Sequence, residues 1–277
     1  MRIKKIDFTK VVASGNDFVV VEKDKISTIH YPLYAKKLCD RKFGVGADGL
    51  LILEKSKVAD IKMRIFNPDG SEAEMCGNGA RCVALYLNSI LNTQYSILKI
   101  ETKAGLIESE VRNNDVKIKL TEPKEIKLNL AITINRRILR VNFINTGVPH
   151  TVVFVEGLDK IDVVSLARLI RYHRRFSPQG TNVNFVEIKD DESIKIRTYE
   201  RGVEDETFAC GTGAVASAII SNIKYEISNM KENIYKVNVY TRGGEILKVY
   251  FEREDKKFKN VWLEGKAKIV YRGVYYV

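Results

Sequence analysis

The chain has no hydrophobic run approaching the ~20 consecutive apolar residues that a membrane-spanning helix needs. Met1 leads into strand-like alternation rather than a signal peptide, so no membrane association and a cytoplasmic location are expected. Histidine is scarce, with only His30, His150 and His173, far apart in sequence. None of the four cysteines (Cys39, Cys76, Cys82, Cys210) forms a Cys-x-x-Cys pair. No metal site is expected from that set, and a reducing compartment disfavours a structural disulfide. Low-complexity linkers are missing too. The 277 residues, 45% hydrophobic and 29% charged, are enough for two ordinary domains, each with its own core.

Positive charge is in excess: 46 Lys and Arg against 35 Asp and Glu, a net +11. A nucleic-acid partner is one reading of such an excess. The lysines, however, are scattered through strand-like segments (Lys117, Lys119, Lys124, Lys127, Lys236, Lys248, Lys256, Lys257), with no aromatic-interleaved basic motif. A basic solvated surface is expected, without nucleic acid.

The cysteines are distinguished by their settings. Cys76-Gly77-Asn78-Gly79-Ala80-Arg81-Cys82 follows a turn-rich run, Asn67-Pro68-Asp69-Gly70-Ser71-Glu72, and precedes Val83-Ala84-Leu85-Tyr86-Leu87, which reads as a buried helix. Cys76 therefore stands where a loop becomes a helix. Free N–H groups and the positive end of the helix dipole face that position, and both favour a thiolate. The arrangement recurs 134 residues later, where Cys210-Gly211-Thr212-Gly213-Ala214 precedes Val215-Ala216-Ser217-Ala218-Ile219-Ile220. The same offset lays Gly46–Leu51 over Gly180–Phe185 and Asn67–Gly70 over Arg201–Glu204. One register across separate segments indicates an internal duplication. Cys39 and Cys82, outside these starts, read as small buried hydrophobes.

The expected fold is α+β: two pseudo-symmetric domains, each a curved, mostly antiparallel, barrel-like sheet wrapped around a central buried helix. Pro123 marks the boundary. Residues 1–122 carry Cys76 and are joined by the C-terminal strand 267–277; residues 123–266 carry Cys210. A cleft faced by the two helix starts would concentrate N–H donors on an anion such as a carboxylate. Two thiols at one carbon, one deprotonated, can remove a proton from one side and deliver one to the other. That inverts a stereocentre without a cofactor.

At this point the motifs form a larger pattern. Gly15-Asn16-Asp17-Phe18, Asp40-Arg41-Lys42-Phe43-Gly44-Val45-Gly46-Ala47-Asp48-Gly49, the Asn67 and Cys76 stretches, Gly147-x-Pro149-His150, Asn182, Tyr199-Glu200-Arg201-Gly202 and Glu206-Thr207-x-Ala209-Cys210-Gly211-Thr212-Gly213 resemble diaminopimelate epimerase. The resemblance implies interconversion of LL- and meso-2,6-diaminopimelate on the route to lysine, without pyridoxal phosphate. It implies Cys76 and Cys210 as acid and base, with His150 and Glu200 setting the protonation of the thiols. Gly77-Asn78 and Gly211-Thr212 would hold the carboxylate at the reacting carbon; Asn16, Asn67, Asn182, Glu200 and Arg201 would take the remaining groups. A homodimer with Tyr271 at its contact is also implied, and Ile269-Val270-Tyr271 would otherwise form an exposed apolar edge. Two positions depart from the family pattern: Val148 stands where asparagine is frequent, and Gly49 where some members carry glutamine.

Taken singly, most of these residues have plainer explanations. Asn16, Asn67 and Asn182 sit in turn-like loops that suit asparagine, His150 could be a satisfied loop histidine, and Arg201 could be a surface ion-pair residue. Packing gives no reason to place a thiol at a helix start twice. The alternative within enzymes is a two-cysteine racemase or epimerase of proline or hydroxyproline; outside that class stand a thiol redox protein and a basic RNA-binding module.

Overall fold

The computed structural model describes residues 5–25, 30–255 and 257–276. The chain divides into two compact units, Met1–Ile118 with Gly265–Val277, and Lys119–Glu264. The first half runs β1 (Lys5–Ala13), β2 (Asn16–Glu22), α1 (Tyr31–Cys39), β3 (Gly49–Glu54), β4 (Ile61–Phe66), β5 (Glu72–Ala73), α2 (Gly77–Leu91), β6 (Tyr95–Thr102), β7 (Gly105–Arg112) and β8 (Asp115–Lys119). The second runs β9 (Lys124–Ile134), β10 (Arg137–Asn145), β11 (Pro149–Phe154), α3 (Val163–Arg171), β12 (Asn182–Asp190), β13 (Ser193–Glu200), β14 (Asp205–Thr207), α4 (Gly211–Tyr225), β15 (Asn229–Lys231), β16 (Ile234–Tyr240), β17 (Ile246–Glu254) and β18 (Lys257–Tyr276).

Strand pairing shows the duplication directly. In the first unit β1–β2 is antiparallel, β2–β3 parallel, β3–β4 antiparallel, β4–β6 parallel, and β6–β7 and β7–β8 antiparallel. β8 then neighbours β18, whose end pairs back onto β1, closing a ring of eight strands. The second unit repeats the order: β10–β11 antiparallel, β11–β12 parallel, β12–β13 antiparallel, β13–β16 parallel, β16–β17 and β17–β18 antiparallel. Parallel neighbours need a crossover. α1 and α3 supply the first one in each unit, α2 and α4 the second.

Which crossover is buried follows from side-chain size. α4 is buried continuously from Gly213 to Asn222, and α2 from Asn78 to Leu85, because Gly, Ala, Ser and Cys let strands approach on all sides. α3 buries only the stripe Val163, Ala167, Ile170 and lies against one face. Both central helices stop at a left-handed residue, Asn92 (φ 51°) and Glu226 (φ 56°), again 134 apart. Cys39 and Cys82 are buried as expected, and burial pushes the Cys39 thiol up to about 12.

Three details differ from the sequence reading. The offset of 134 holds at the central helices but falls to 133 along β3 and β12. Leu51 pairs with Ile65 as Asn184 pairs with Thr198, so Leu51 corresponds to Asn184 and not to Phe185. β9 was not foreseen, because it is mostly exposed and Ile132 is its one fully buried side chain. Its place beside β10 matches that of the β18 end beside β1. That β18 end is no bare edge on this side, since Tyr271 pairs with Lys10 and sets its ring edge-on to Phe8, centroids 5.8 Å apart.

Candidate active site

In the second unit Cys210 is the last extended residue (φ −122°, ψ 113°) before α4, and only 7% exposed. Its Sγ lies 3.5 Å from the Thr212 hydroxyl. Thr212 Oγ1 is in turn 3.0 Å from Nε2 of His150, which is fully buried on β11. On the other side of the ring, Nδ1 is 3.1 Å from Nδ2 of Asn184. Burial, reinforced by the positive charge of Arg201, pulls His150 down to about 3, so the imidazole is neutral near pH 7. Glu200 ends β13 and hydrogen-bonds both Cys210 and the Thr207 hydroxyl, the latter at 3.2 Å. Burial raises its carboxyl pKa and these two bonds work the other way, with burial dominant. A carboxylate that gains a proton readily, in contact with a thiol, is suited to proton exchange.

Asn182 stitches the neighbouring loops. Its Nδ2 donates to Pro149 O at 3.0 Å, and its Oδ1 accepts the Arg201 backbone N–H at 2.8 Å. The Arg201 guanidinium donates from Nη1 to Gln179 O at 3.1 Å and has no ion-pair partner among the described residues. The plainer alternative, a surface ion pair, therefore has no support among the described residues.

The first unit is built differently around its thiol. Cys76, half-buried and extended (φ −143°, ψ 118°), caps α2 by accepting the Gly79 N–H at 3.4 Å. Gly77 and Asn78 form the first turn. Asn78 Oδ1 accepts from the buried Arg81 at 2.7 Å, and the same guanidinium nitrogen reaches Ser14 Oγ at 2.5 Å. Arg81 thus ties the helix start to the β1–β2 turn beside Asn16. Asn16 Oδ1 is shielded from solvent with no hydrogen-bond partner among the described residues, an uncommon state for a buried acceptor. Asp17 braces the turn from outside: burial opposes its ionisation, but hydrogen bonds from Arg41 and Lys10 outweigh that and hold it well below the usual carboxylate range. Asn67 is exposed and, among the described residues, bonded only within its own turn, Nδ2 to Ser71 Oγ at 3.0 Å. At Gly49 a Cβ would lie 3.2 Å from both the Phe18 ring and Phe66 O, so the glycine matches the space there.

Cys210, Thr212, His150, Glu200, Asn182 and Arg201 are thus brought together, and so are Cys76, Gly77, Asn78 and the Asn16 turn. Asn184, Thr198 and the Arg81 bridge were not singled out in sequence. For Asn184 a signal was present in Asn182-x-Asn184, two asparagines on one face of the buried first half of the strand.

The diaminopimelate epimerase family model matches residues 8–126 and 142–270. A diaminopimelate epimerase of Aquifex aeolicus is 42% identical over 282 residues, covering 97% of each chain. The chain belongs to the diaminopimelate epimerase family. Another such epimerase, from Archaeoglobus fulgidus, is 40% identical over 287 residues, covering 98% of this chain and 96% of that one. Among solved structures, a Bacillus anthracis protein of the PhzF family superposes with a TM-score of 0.76 at 19% identity, covering 99% of this chain and all of that one. A hydroxyproline epimerase of Agrobacterium vitis gives 0.71 at 17%, covering 100% and 92%. These two likenesses show a shared fold. Membership of the diaminopimelate epimerase family rests on the sequence relatives.

Proposed function

We propose that this protein interconverts LL- and meso-2,6-diaminopimelate by a two-base reaction without pyridoxal phosphate, on the route to lysine. Cys76 and Cys210 act as the acid–base pair: one thiolate takes the α-proton while the other thiol supplies one to the opposite face. The electron pair left by the broken C–H bond moves onto the α-carboxylate. N–H groups of the first turns of α2 (Gly77, Asn78) and α4 (Gly211, Thr212) stabilise that charge. Glu200 exchanges a proton with Cys210, and His150 tunes the same thiol through Thr212. Asn16, whose shielded Oδ1 suits an ammonium, serves with Asn67, Asn182, Glu200 and Arg201 to hold the other groups of the substrate. The observation that carries the reading is the Cys–Gly helix start found once in each unit.

Incubation with LL-diaminopimelate in deuterated water tests it. Deuterium at an α-carbon together with meso product is expected. Exchange into proline or hydroxyproline, with none into diaminopimelate, would overturn it.

The same reading has the protein working in the cytoplasm as a homodimer with Tyr271 at the contact; 45% exposed, this ring has apolar surface to offer. Light scattering should show a dimer that Tyr271→Ala weakens. A monomeric wild type, or an undisturbed dimer in the variant, would remove the claim.

A further inference from the structure

The strand positions that form the hydrogen-bonded file behind Cys210 are apolar in the first unit. His150 pairs with Asn182 across β11–β12 as Phe18 pairs with Gly49 across β2–β3. By the same register Asn184 and Thr198 occupy the places of Leu51 and Ile65. The central helices agree: a Cβ on Gly213 would meet Asn184 Oδ1 at 2.4 Å, and one on Gly79 would meet Leu51 Cδ2 at 3.3 Å. One half of the duplication therefore fills these positions with Phe18, Leu51 and Ile65, and the other with His150, Asn184 and Thr198. The polar three are 0%, 0% and 2% exposed. Burying three polar side chains where the same fold accepts apolar ones costs desolvation that packing does not recover. Their use must lie in what they hydrogen-bond.

The file has a direction, set at its inner end. Asn184 Nδ2 also lies 3.3 Å from the Thr151 carbonyl, which can only accept, so the amide nitrogen faces His150. The Thr198 hydroxyl donates to Asn184 Oδ1 at 3.0 Å, completing the amide. Facing an N–H donor, His150 Nδ1 must be the bare nitrogen, and Nε2 carries the proton. Thr212 Oγ1 therefore accepts from His150, and its own proton is left for Cys210 Sγ.

We propose that Asn184, held by Thr198, is a positioning residue for Cys210: it fixes the Nε2–H tautomer of His150, which turns the Thr212 hydroxyl toward the sulfur and favours the thiolate. The proposal deepens the proposed function and rests on its assignment of Cys210 to proton transfer. The other ionisable groups facing this file are Glu200, bonded to Cys210, and Arg201, whose charge acts on His150.

Two measurements test this without needing turnover, so they stand even if the substrate is another. Imidazole nitrogen NMR, simplified by there being only three histidines, should show His150 as the Nε2–H tautomer. In Asn184→Asp, whose carboxylate can only accept, it should switch to Nδ1–H. The new charge in that variant would move the thiol by itself, so thiol reactivity is read in Asn184→Leu/Thr198→Ile, the pair that the first unit already accommodates. Alkylation mapped by mass spectrometry across pH should place the Cys210 midpoint up to about one pH unit higher in this variant, roughly a tenfold loss of thiolate at a given pH. Cys76 should be unchanged. A wild-type Nδ1–H tautomer, or a Cys210 profile that does not move in the folded double variant, would overturn the proposal.

Discussion

Serine at position 76 or 210 is expected to remove nearly all epimerisation while leaving the fold intact. The exchange trims little volume, and at position 76 the serine oxygen still offers an acceptor to cap the helix start. What disappears is the acid: an alcohol ionises far less readily than a thiol, so neither the helix dipole nor Glu200 can make it a base near neutral pH. A positioned acid or base contributes roughly 10²–10⁴-fold, and each variant should lose at least that much. Both should lose it in both directions, since each thiol is base for one isomer and acid for the other. The check is meso formation from LL-diaminopimelate and its reverse, with circular dichroism and thermal unfolding to confirm folding. Retention of more than about a tenth of the wild-type rate by either folded variant, well outside that range, would sink the two-thiol mechanism.

The second large effect concerns Arg201. It stands nine residues before Cys210, where Asn67 stands nine before Cys76, each in the loop that leads to its helix start. With one guanidinium nitrogen on Gln179 O and no ion pair among the described residues, it retains donors for a substrate carboxylate. A bidentate guanidinium–carboxylate pair out of water is worth about 2–4 kcal/mol, so Arg201→Ala should lower kcat/KM by roughly thirty- to a thousandfold. Arg201→Lys should fall between, because an ammonium offers a point charge without the fork. Because Asn182 holds the backbone N–H of residue 201, the loop should survive both changes. A loss below about fivefold in the alanine variant, near 1 kcal/mol, would return Arg201 to an ordinary surface role.

The sequence alone carried the setting of the two thiols, each at the start of a buried helix. A cysteine followed by Gly-x-Gly and then a run of small and apolar residues is local information. It specifies an extended residue, a helix start and a buried helix through backbone preference and periodicity within about fifteen residues. Repetition of that signal 134 residues on was enough to indicate the duplication and to pair Cys76 with Cys210. Tertiary structure decided what stands behind each thiol. His150 and Asn184 are 34 residues apart, His150 and Thr212 62 apart, and Arg81 and Ser14 67 apart. Each partnership depends on strand register, which local pattern does not set where a strand is buried on both faces. A one-residue change in offset, 133 for 134, places Asn184 rather than Phe185 over Leu51, and in a strand one residue is the difference between one face and the other. β9 escaped for the converse reason: an exposed strand held by its neighbour's backbone has little hydrophobic period to read. Identity and reaction lay in short-range chemistry; the asymmetry between the two thiols lay in which distant residues the barrel brings to each.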